Sequence, residues 1–230
     1  MSGRLPRQID VRVGGGRGRG LLIMPAILLL CSCALVPSPA REPMVINGNS
    51  QFTKAGVEAM KTSRQVSFDF TALPLDMADI GLDPDSDGAM VATETDKRMQ
   101  VAMTTPKGMV EMETDTIRVR GGGSENKVDS VDIFVNYPDA QDANSEIQRA
   151  ANELGILALK KAKTIGPEFK DGTGKDTWNP GYGNATGTVF ALSIMSNHTT
   201  GRMTFIYSVF LSEDYYTPEA TAEIAETGRF

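Results

Sequence analysis

Alternation of apolar and polar residues is the strongest pattern in the chain, and it predicts strands. From Val66 to Phe70 every second residue is apolar, as in a strand with one buried face. The same alternation recurs in three pairs of segments, each pair separated by a turn or loop, and such pairs predict hairpins. The predicted strands are 66–70, 99–103, 110–114, 116–120, 128–137, 188–196 and 203–211.

A helical period replaces the alternation between the second and third hairpins. Six apolar residues, at positions 147, 150, 151, 154, 157 and 158, fall on one helical face, and Asn144 or Ser145 can cap this helix. Shorter helices are predicted at about 51–62 and 217–227, and a polar loop at 166–187. The pattern predicts an α+β fold: an antiparallel sheet of about six strands in hairpins, one long helix, and short terminal helices.

A different pattern precedes this region. Residues 1–20 are rich in Arg and Gly, and residues 21–30 form a continuous apolar run. The run has the length of a signal-peptide hydrophobic region, is shorter than the ~20 residues of a membrane-spanning helix, and contains Pro25. Because the Arg cluster lies before the run, we expect the rest of the chain to leave the cytoplasm.

The end of the apolar run carries the motif Leu30-Cys31-Ser32-Cys33. It resembles the lipobox of bacterial lipoproteins, in which an aliphatic residue at −3 and a small residue at −1 precede the cysteine that becomes the N-terminus. The resemblance implies cleavage before Cys33 and acylation of that residue, which would attach the chain to a membrane of the cell envelope. Two alternatives remain open: cleavage after Ala40, which would release a secreted protein, and an uncleaved N-terminal anchor.

These features predict three segments. Residues 1–32 form a lipoprotein signal peptide, 33–50 a lipidated tether rich in Pro, and 51–230 a single α+β domain outside the cytoplasm. Both cysteines of the chain lie in the motif, so the domain has to be held by its core without disulfides.

Charge and composition restrict the chemistry of the domain. The formal net charge is −6, but residues 1–32 carry +4, so the remaining residues carry −10. Such an acidic domain is a poor partner for nucleic acid, whose phosphates are bound by Lys and Arg. The single histidine, His198, excludes His/Cys zinc sites in the mature chain, and no catalytic residue is predicted.

Residues 83–94 match the calcium-loop pattern D-x-D-x-D-G-x5-E. Alternate carboxylates of Asp83, Asp85 and Asp87, the carbonyl of Ala89 and both oxygens of Glu94 would supply the oxygen ligands that calcium requires. Calcium is the one cofactor predicted. The alternative is a solvated turn, because clustered Asp and Gly residues also form turns without metal and the flanking sequence does not predict two helices.

Trp178 and Tyr182 share a polar loop rich in Gly and Pro, and are candidates for stacking on a ligand. The alternative for Trp178 is a plug at the end of the core. On the strand at 110–114, the carboxylates of Glu111, Glu113 and Asp115 would share one face, about 7 Å apart by the strand period.

Three classes of function remain. The first is a non-enzymatic envelope lipoprotein that binds an unidentified envelope protein or ligand. The second is a calcium-binding or ligand-binding module outside the cytoplasm, and the third is a hydrolase that uses carboxylates alone. The first leads, because no nucleophile and base occur together in a recognisable motif.

Overall fold

The computed structural model describes residues 48–94, 97–122, 126–162 and 175–230. All of them belong to one compact unit, Pro43–Phe230. The described strands are β1 Gln65–Asp69, β2 Gly88–Ala92, β3 Met99–Thr105, β4 Gly108–Thr114, β5 Thr116–Gly121, β6 Val128–Tyr137, β7 Lys175–Gly183, β8 Val189–Asn197 and β9 Arg202–Phe210. The helices are α1 Lys54–Ser63, α2 Ala140–Glu153, α3 Leu157–Lys161 and α4 Pro218–Thr227, with 3-10 turns at Met77–Ile80 and Glu213–Tyr216.

The strands form two sheets. Six strands make an antiparallel sheet in the order β2-β5-β6-β9-β8-β7, and three make a smaller sheet in the order β1-β3-β4. In the smaller sheet β1 runs parallel to β3, and β3 pairs with β4 as a hairpin. The α+β class is therefore confirmed, with two sheets in place of the single one that the sequence predicts.

The chain passes from one sheet to the other at Asp115, the only residue between β4 and β5. Asp115 is 2% exposed, and its carboxylate accepts a hydrogen bond of 2.6 Å from the backbone N–H of Asn136. The Arg98 guanidinium lies 3.4 Å from its other oxygen, so the buried charge is compensated. These contacts fix the bend between the two strands that the sequence predicts at 110–114 and 116–120, and the bend places those strands in different sheets.

Both sheets contribute to one hydrophobic core. Its largest fully buried side chains include Phe68, Phe70, Met103, Ile117, Ile133, Ile147, Phe190, Phe205 and Tyr207. Helix α2 adds Ala143, Ile147, Ala150 and Ala151. The hydroxyl of Tyr207 on β9 donates to the Glu146 carboxylate over 2.8 Å, which ties the helix to the sheet.

The one long helix that the sequence predicts is not confirmed. Helix α2 begins earlier than expected, because the Asp139 side chain caps it by accepting from the N–H groups of Gln141 and Asp142. It ends before Gly155, which has φ +76° and separates it from α3. A Cβ at Gly183 of β7 would lie 2.2 Å from the Leu154 carbonyl oxygen, so the helix end packs directly on the strand backbone.

The first described residues lie along the outer edge of β1. The N–H of Ser50 donates to the Ser67 carbonyl over 2.8 Å, and the Asn49 side chain accepts from the Asp69 N–H over 2.8 Å. This segment satisfies backbone groups that an edge strand would otherwise expose. Among the described residues, none of the helices combines the length and hydrophobicity needed to span a membrane.

Candidate functional site

The six-stranded sheet buries one face in the core, and its other face carries half-buried and exposed side chains. Register places Met90, Arg118, Asp132, Ser208, Ala191 and Tyr182 in one row across all six strands. Along each strand, every second residue belongs to the same face, so the next row of this face lies two residues away. We call this side the open face; it includes Met90, Arg118, Arg120, Asp132, Phe134, Lys175, Tyr182, Met195, Arg202, Ile206, Ser208 and Phe210.

Asp132 lies at the centre of the open face and is 1% exposed. One carboxylate oxygen accepts from Nε and Nη2 of Arg118, over 2.9 and 2.6 Å, and lies 3.3 Å from Nε of Arg120. The other oxygen accepts from the Ser208 hydroxyl over 2.6 Å. A carboxylate this buried is stable as an anion only because charged and polar donors surround it.

The two arginines are held in place but remain accessible. The side chains of Arg118 and Arg120 are 45% and 41% exposed. Nε of Arg120 also donates to the Ser130 hydroxyl over 2.8 Å, and the Arg118 guanidinium lies 5.3 Å from the centre of the Phe134 ring. Within the described residues, the Nη groups of Arg120 and Nη1 of Arg118 make no hydrogen bond, so both guanidiniums keep donors for a further acceptor.

Exposed apolar side chains concentrate around this centre. In the described part of the chain, four large hydrophobic residues are exposed: Met90, Met109, Met195 and Phe230. Met90, which is 64% exposed, and Met195 belong to the open face. Phe230 extends it, because its ring stacks 4.1 Å from that of Tyr215, which stacks 4.5 Å from Phe210. Three of the four therefore lie on or beside one surface.

A shallow cavity of about 280 Å³ lies at the end of the open face where β7, β8 and β9 meet. Lys175, Arg202 and Met195 are among the residues that line it. With Arg118 and Arg120, the described residues of the face include four basic side chains and one acidic one, Asp132, and Asp176 also lines the cavity. This positive surface contrasts with the charge of −10 that the chain carries after residue 32.

A second cavity, of about 460 Å³, lies between the turns at one end of the two sheets. Its walls include Phe70, Leu73, Pro106 and Tyr216. The Tyr216 hydroxyl donates to the Phe210 carbonyl over 2.7 Å and accepts from the Val189 N–H, and burial raises the pKa of Tyr216 to about 12. The volume is in the range of small-molecule sites, but the polar group of this tyrosine is already hydrogen-bonded inside the protein.

The predicted calcium ligands are not brought into one cluster. Strand β2 begins at Gly88 and pairs Ala89 with Val119, so the chain is extended where a calcium loop would curl back. The carboxylate of Glu94 lies 2.6 Å from the Lys97 ammonium. In the described ranges, no three His, Cys, Asp or Glu side chains form a group that could hold a metal ion. The calcium site stays a prediction for which this geometry offers no assembled ligand set.

The two aromatic candidates lie on opposite faces of β7. Register pairs Trp178 with Ile194 of the core face and Tyr182 with Ala191 of the open face, because the strand has a bulge between Trp178 and Gly181. Trp178 packs against the core, and Tyr182 lies in the ring cluster beside Phe210. Ligand binding by these two residues as a pair stays a prediction that their placement does not support.

The remaining residues that the sequence singles out lie outside the open face. Cys33 lies outside the described residues. Glu113 accepts a hydrogen bond from the Gln100 side chain over 2.9 Å and lies 3.9 Å from Arg98, and Asp115 is buried at the bend described above. His198 lies in the turn between β8 and β9. These carboxylates are thus engaged in contacts within the fold.

Sequence reasoning missed the open face. The available signal was Asp132, a charged residue inside the apolar strand 128–137, together with two arginines at alternate positions of the preceding strand. The arrangement can bind anions through the arginines and apolar groups through the methionines and rings. Comparison with protein-family models, with curated proteins and with solved structures gives no match for this chain.

Proposed function

We propose that this chain is a membrane-anchored, non-enzymatic lipoprotein that lies outside the cytoplasm and binds an envelope protein through the open face. One observation carries the binding part of the proposal: a pair of accessible arginines, fixed by a buried aspartate, at the centre of a face with exposed methionines. Arg, Met and aromatic side chains are enriched at protein interfaces, and Lys and Glu are depleted there.

The fixed geometry of the arginines favours binding. A flexible arginine loses rotamer entropy when it binds a partner, but Arg118 is already held by two hydrogen bonds to Asp132. The six-stranded sheet underneath supplies a rigid support for this pair. The lipid anchor rests separately on the motif that ends at Cys33.

Site-directed cross-linking in the producing cell tests this proposal. A photoreactive amino acid is placed at Met90 or Met195 of the open face, and at Glu58 as a control, since that side chain is 69% exposed and belongs to helix α1, outside the six-stranded sheet. We expect a discrete adduct from the two open-face positions, weakened by the substitution Arg118→Gln, and none from position 58. Equal cross-linking from all three positions, or none from the open face, would contradict the proposal.

A second candidate is a module that binds a small apolar ligand, and the cavity of about 460 Å³ favours it. Native mass spectrometry of the purified chain tests this function. The ligand-binding hypothesis predicts a bound small molecule that is lost with Leu73→Arg, which places a cation in the cavity wall. Met195→Arg, at an exposed position of β8 that does not line this cavity, is the matched control and should leave the molecule bound.

A further inference from the structure

We infer that the partner of the open face is an acidic protein segment in extended conformation, with two carboxylates that pair with Arg118 and Arg120. This inference rests on the proposed function, because it names the chemistry that the same face would recognise. It depends on the spacing of the arginines, on the charge of the surface, and on the exclusion of two other occupants.

Spacing is the first argument. Arg118 and Arg120 are two residues apart on β5 and share one face of the sheet. On a strand the Cα atoms at this separation lie about 6.5 Å apart, as do those of positions i and i+2 of an extended segment laid along β5. The two guanidiniums converge on one oxygen of Asp132 and lie closer together than this, within reach of two flexible glutamate side chains. Each guanidinium has free N–H groups in a fork that matches a carboxylate. An alternating acidic segment therefore offers both acceptors at once.

Charge is the second argument. Four basic side chains outnumber Asp132 and the cavity-lining Asp176, so the open face is positive, while the chain after residue 32 carries −10. An acidic segment is repelled by most of a negative surface and attracted only where the sign reverses, which selects this face. Exposed Met90, which the register places opposite Arg118 on the neighbouring strand, can accept an apolar side chain of a segment that lies along β5.

A second copy of the chain is a poor occupant. Two copies that meet through the same patch are related by a two-fold axis, which places like residues opposite each other near the axis. Arg118 and Arg120 of one copy would then face the same arginines of the other. Like charges placed against each other cost free energy, so the charge that attracts an acidic segment opposes self-association here.

A membrane surface is also disfavoured. Proteins that lie on a bilayer insert protruding apolar side chains into the headgroup region. On the open face Phe134 and Ile206 are half-buried in the sheet surface. The two described large hydrophobic residues that are more than half exposed there, Met90 on β2 and Phe230 beside β7, lie at opposite edges of the sheet and form no continuous apolar patch. The face is suited to a segment lying flat on it.

Peptide binding to the full chain, purified in a non-ionic detergent, tests the inference by fluorescence anisotropy. The probe is a labelled eight-residue peptide of serine and valine with glutamates at two alternate positions. One comparison peptide has glutamines in their place, and another has the two glutamates adjacent. We expect the alternating acidic peptide to bind at least tenfold more tightly than either comparison, and more weakly as salt rises.

Variants of the chain separate recognition from folding. Arg118→Gln with Arg120→Gln should weaken binding of the acidic peptide at least tenfold, and circular dichroism checks that this variant is folded. Lys175→Gln with Arg202→Gln leaves the Asp132 cluster intact and should weaken binding about two- to fivefold by charge alone. The matched control, Lys54→Gln with Lys61→Gln, removes the same charge from exposed positions of α1 and should leave the dissociation constant unchanged.

Four results would overturn the inference: equal binding of all three peptides, no binding of any, arginine-dependent binding to anionic lipid vesicles without peptide binding, or an arginine-dependent dimer in light scattering. Any of them, combined with specific cross-links from Met90 in the cell, leaves the open face as the binding surface and refutes only the acidic partner. Absence of those cross-links refutes the proposed function itself.

Discussion

Replacing Asp132 with Asn tests whether the buried carboxylate holds the open face together. Asn has nearly the same shape, so the substitution removes the charge without opening a cavity. The two nitrogens of Arg118 at 2.9 and 2.6 Å would lose a charged acceptor, as would the Ser208 hydroxyl at 2.6 Å. We therefore expect a loss of stability and a more mobile pair of arginines.

The expected loss of stability depends on how deeply each partner of the ion pair is buried. Hydrogen bonds to charged groups contribute about 1.5–3 kcal/mol each, and removal of one partner of a fully buried pair costs about 3–5 kcal/mol. Here Asp132 is buried, but the arginines are 45% and 41% exposed and can be hydrated after the substitution. The expected loss is therefore about 2–3 kcal/mol, at or below the lower limit for a fully buried pair, because water can replace part of the lost contact.

Urea unfolding followed by the fluorescence of Trp178, the only tryptophan, measures this loss. The midpoint should fall while the slope stays constant, and the melting temperature should fall by about 5–10 °C. Asp214→Asn, at an exposed position, is the matched control and should change stability by less than about 0.5 kcal/mol. A similarly small loss for Asp132→Asn would refute the reasoning, since it would mean that the carboxylate is not ion-paired in solution.

Other predictions concern sites elsewhere in the chain. Cys33→Ala should abolish labelling by a fatty-acid probe and leave unprocessed precursor; equal labelling of the variant would rule out lipidation there. The calcium hypothesis predicts that calcium raises the melting temperature, with about 2.7 kcal/mol gained at a hundred times the dissociation constant. Asp83→Ala or Glu94→Ala should remove that gain, and a flat calcium titration would refute the site. Burial raises the pKa of Tyr216 to about 12, so its contribution to stability is complete below the ~10 of an unfolded tyrosine and is lost as pH rises toward 12. Urea midpoints between pH 9 and 11.5 should fall less steeply for Tyr216→Phe than for the unchanged chain; identical slopes would contradict this assignment.

The sequence predicts the elements best where a strand has one buried face. The pairing of β3 with β4 and of β8 with β9 follows directly from alternation on both sides of a short turn. Strand β7 has no such pattern, because Pro180 and the bulge after Trp178 shift the register within it. The position at which α2 ends also depends on tertiary packing, because the backbone of Leu154 contacts Gly183 of β7 there. A local sequence pattern does not contain this contact.

The open face depends on register, which the sequence does not provide. Arg118 and Asp132 are both visible as charged residues in predicted strands, but their pairing requires β5 and β6 to align in one particular way. Ser208 is 76 positions from Asp132, and no local pattern links the two. Conversely, the spacing of residues 83–94 matches a motif whose geometry requires a loop, whereas Gly88–Ala92 is a strand held by β5.

The pairing of β6 with β9 has a consequence for the order of folding. It joins residues far apart in sequence, with Asn136 and Thr204 separated by 68 positions, and between them lie α2, β7 and β8. Because the chain is synthesised N-terminus first, β6 keeps one edge unpaired until β9 has been made, and unpaired edges of this kind favour aggregation. Non-local pairing also slows closure of the sheet. The six-stranded sheet therefore closes only after its C-terminal strands are available, and until then the unpaired edge of β6 is open to pairing with other chains.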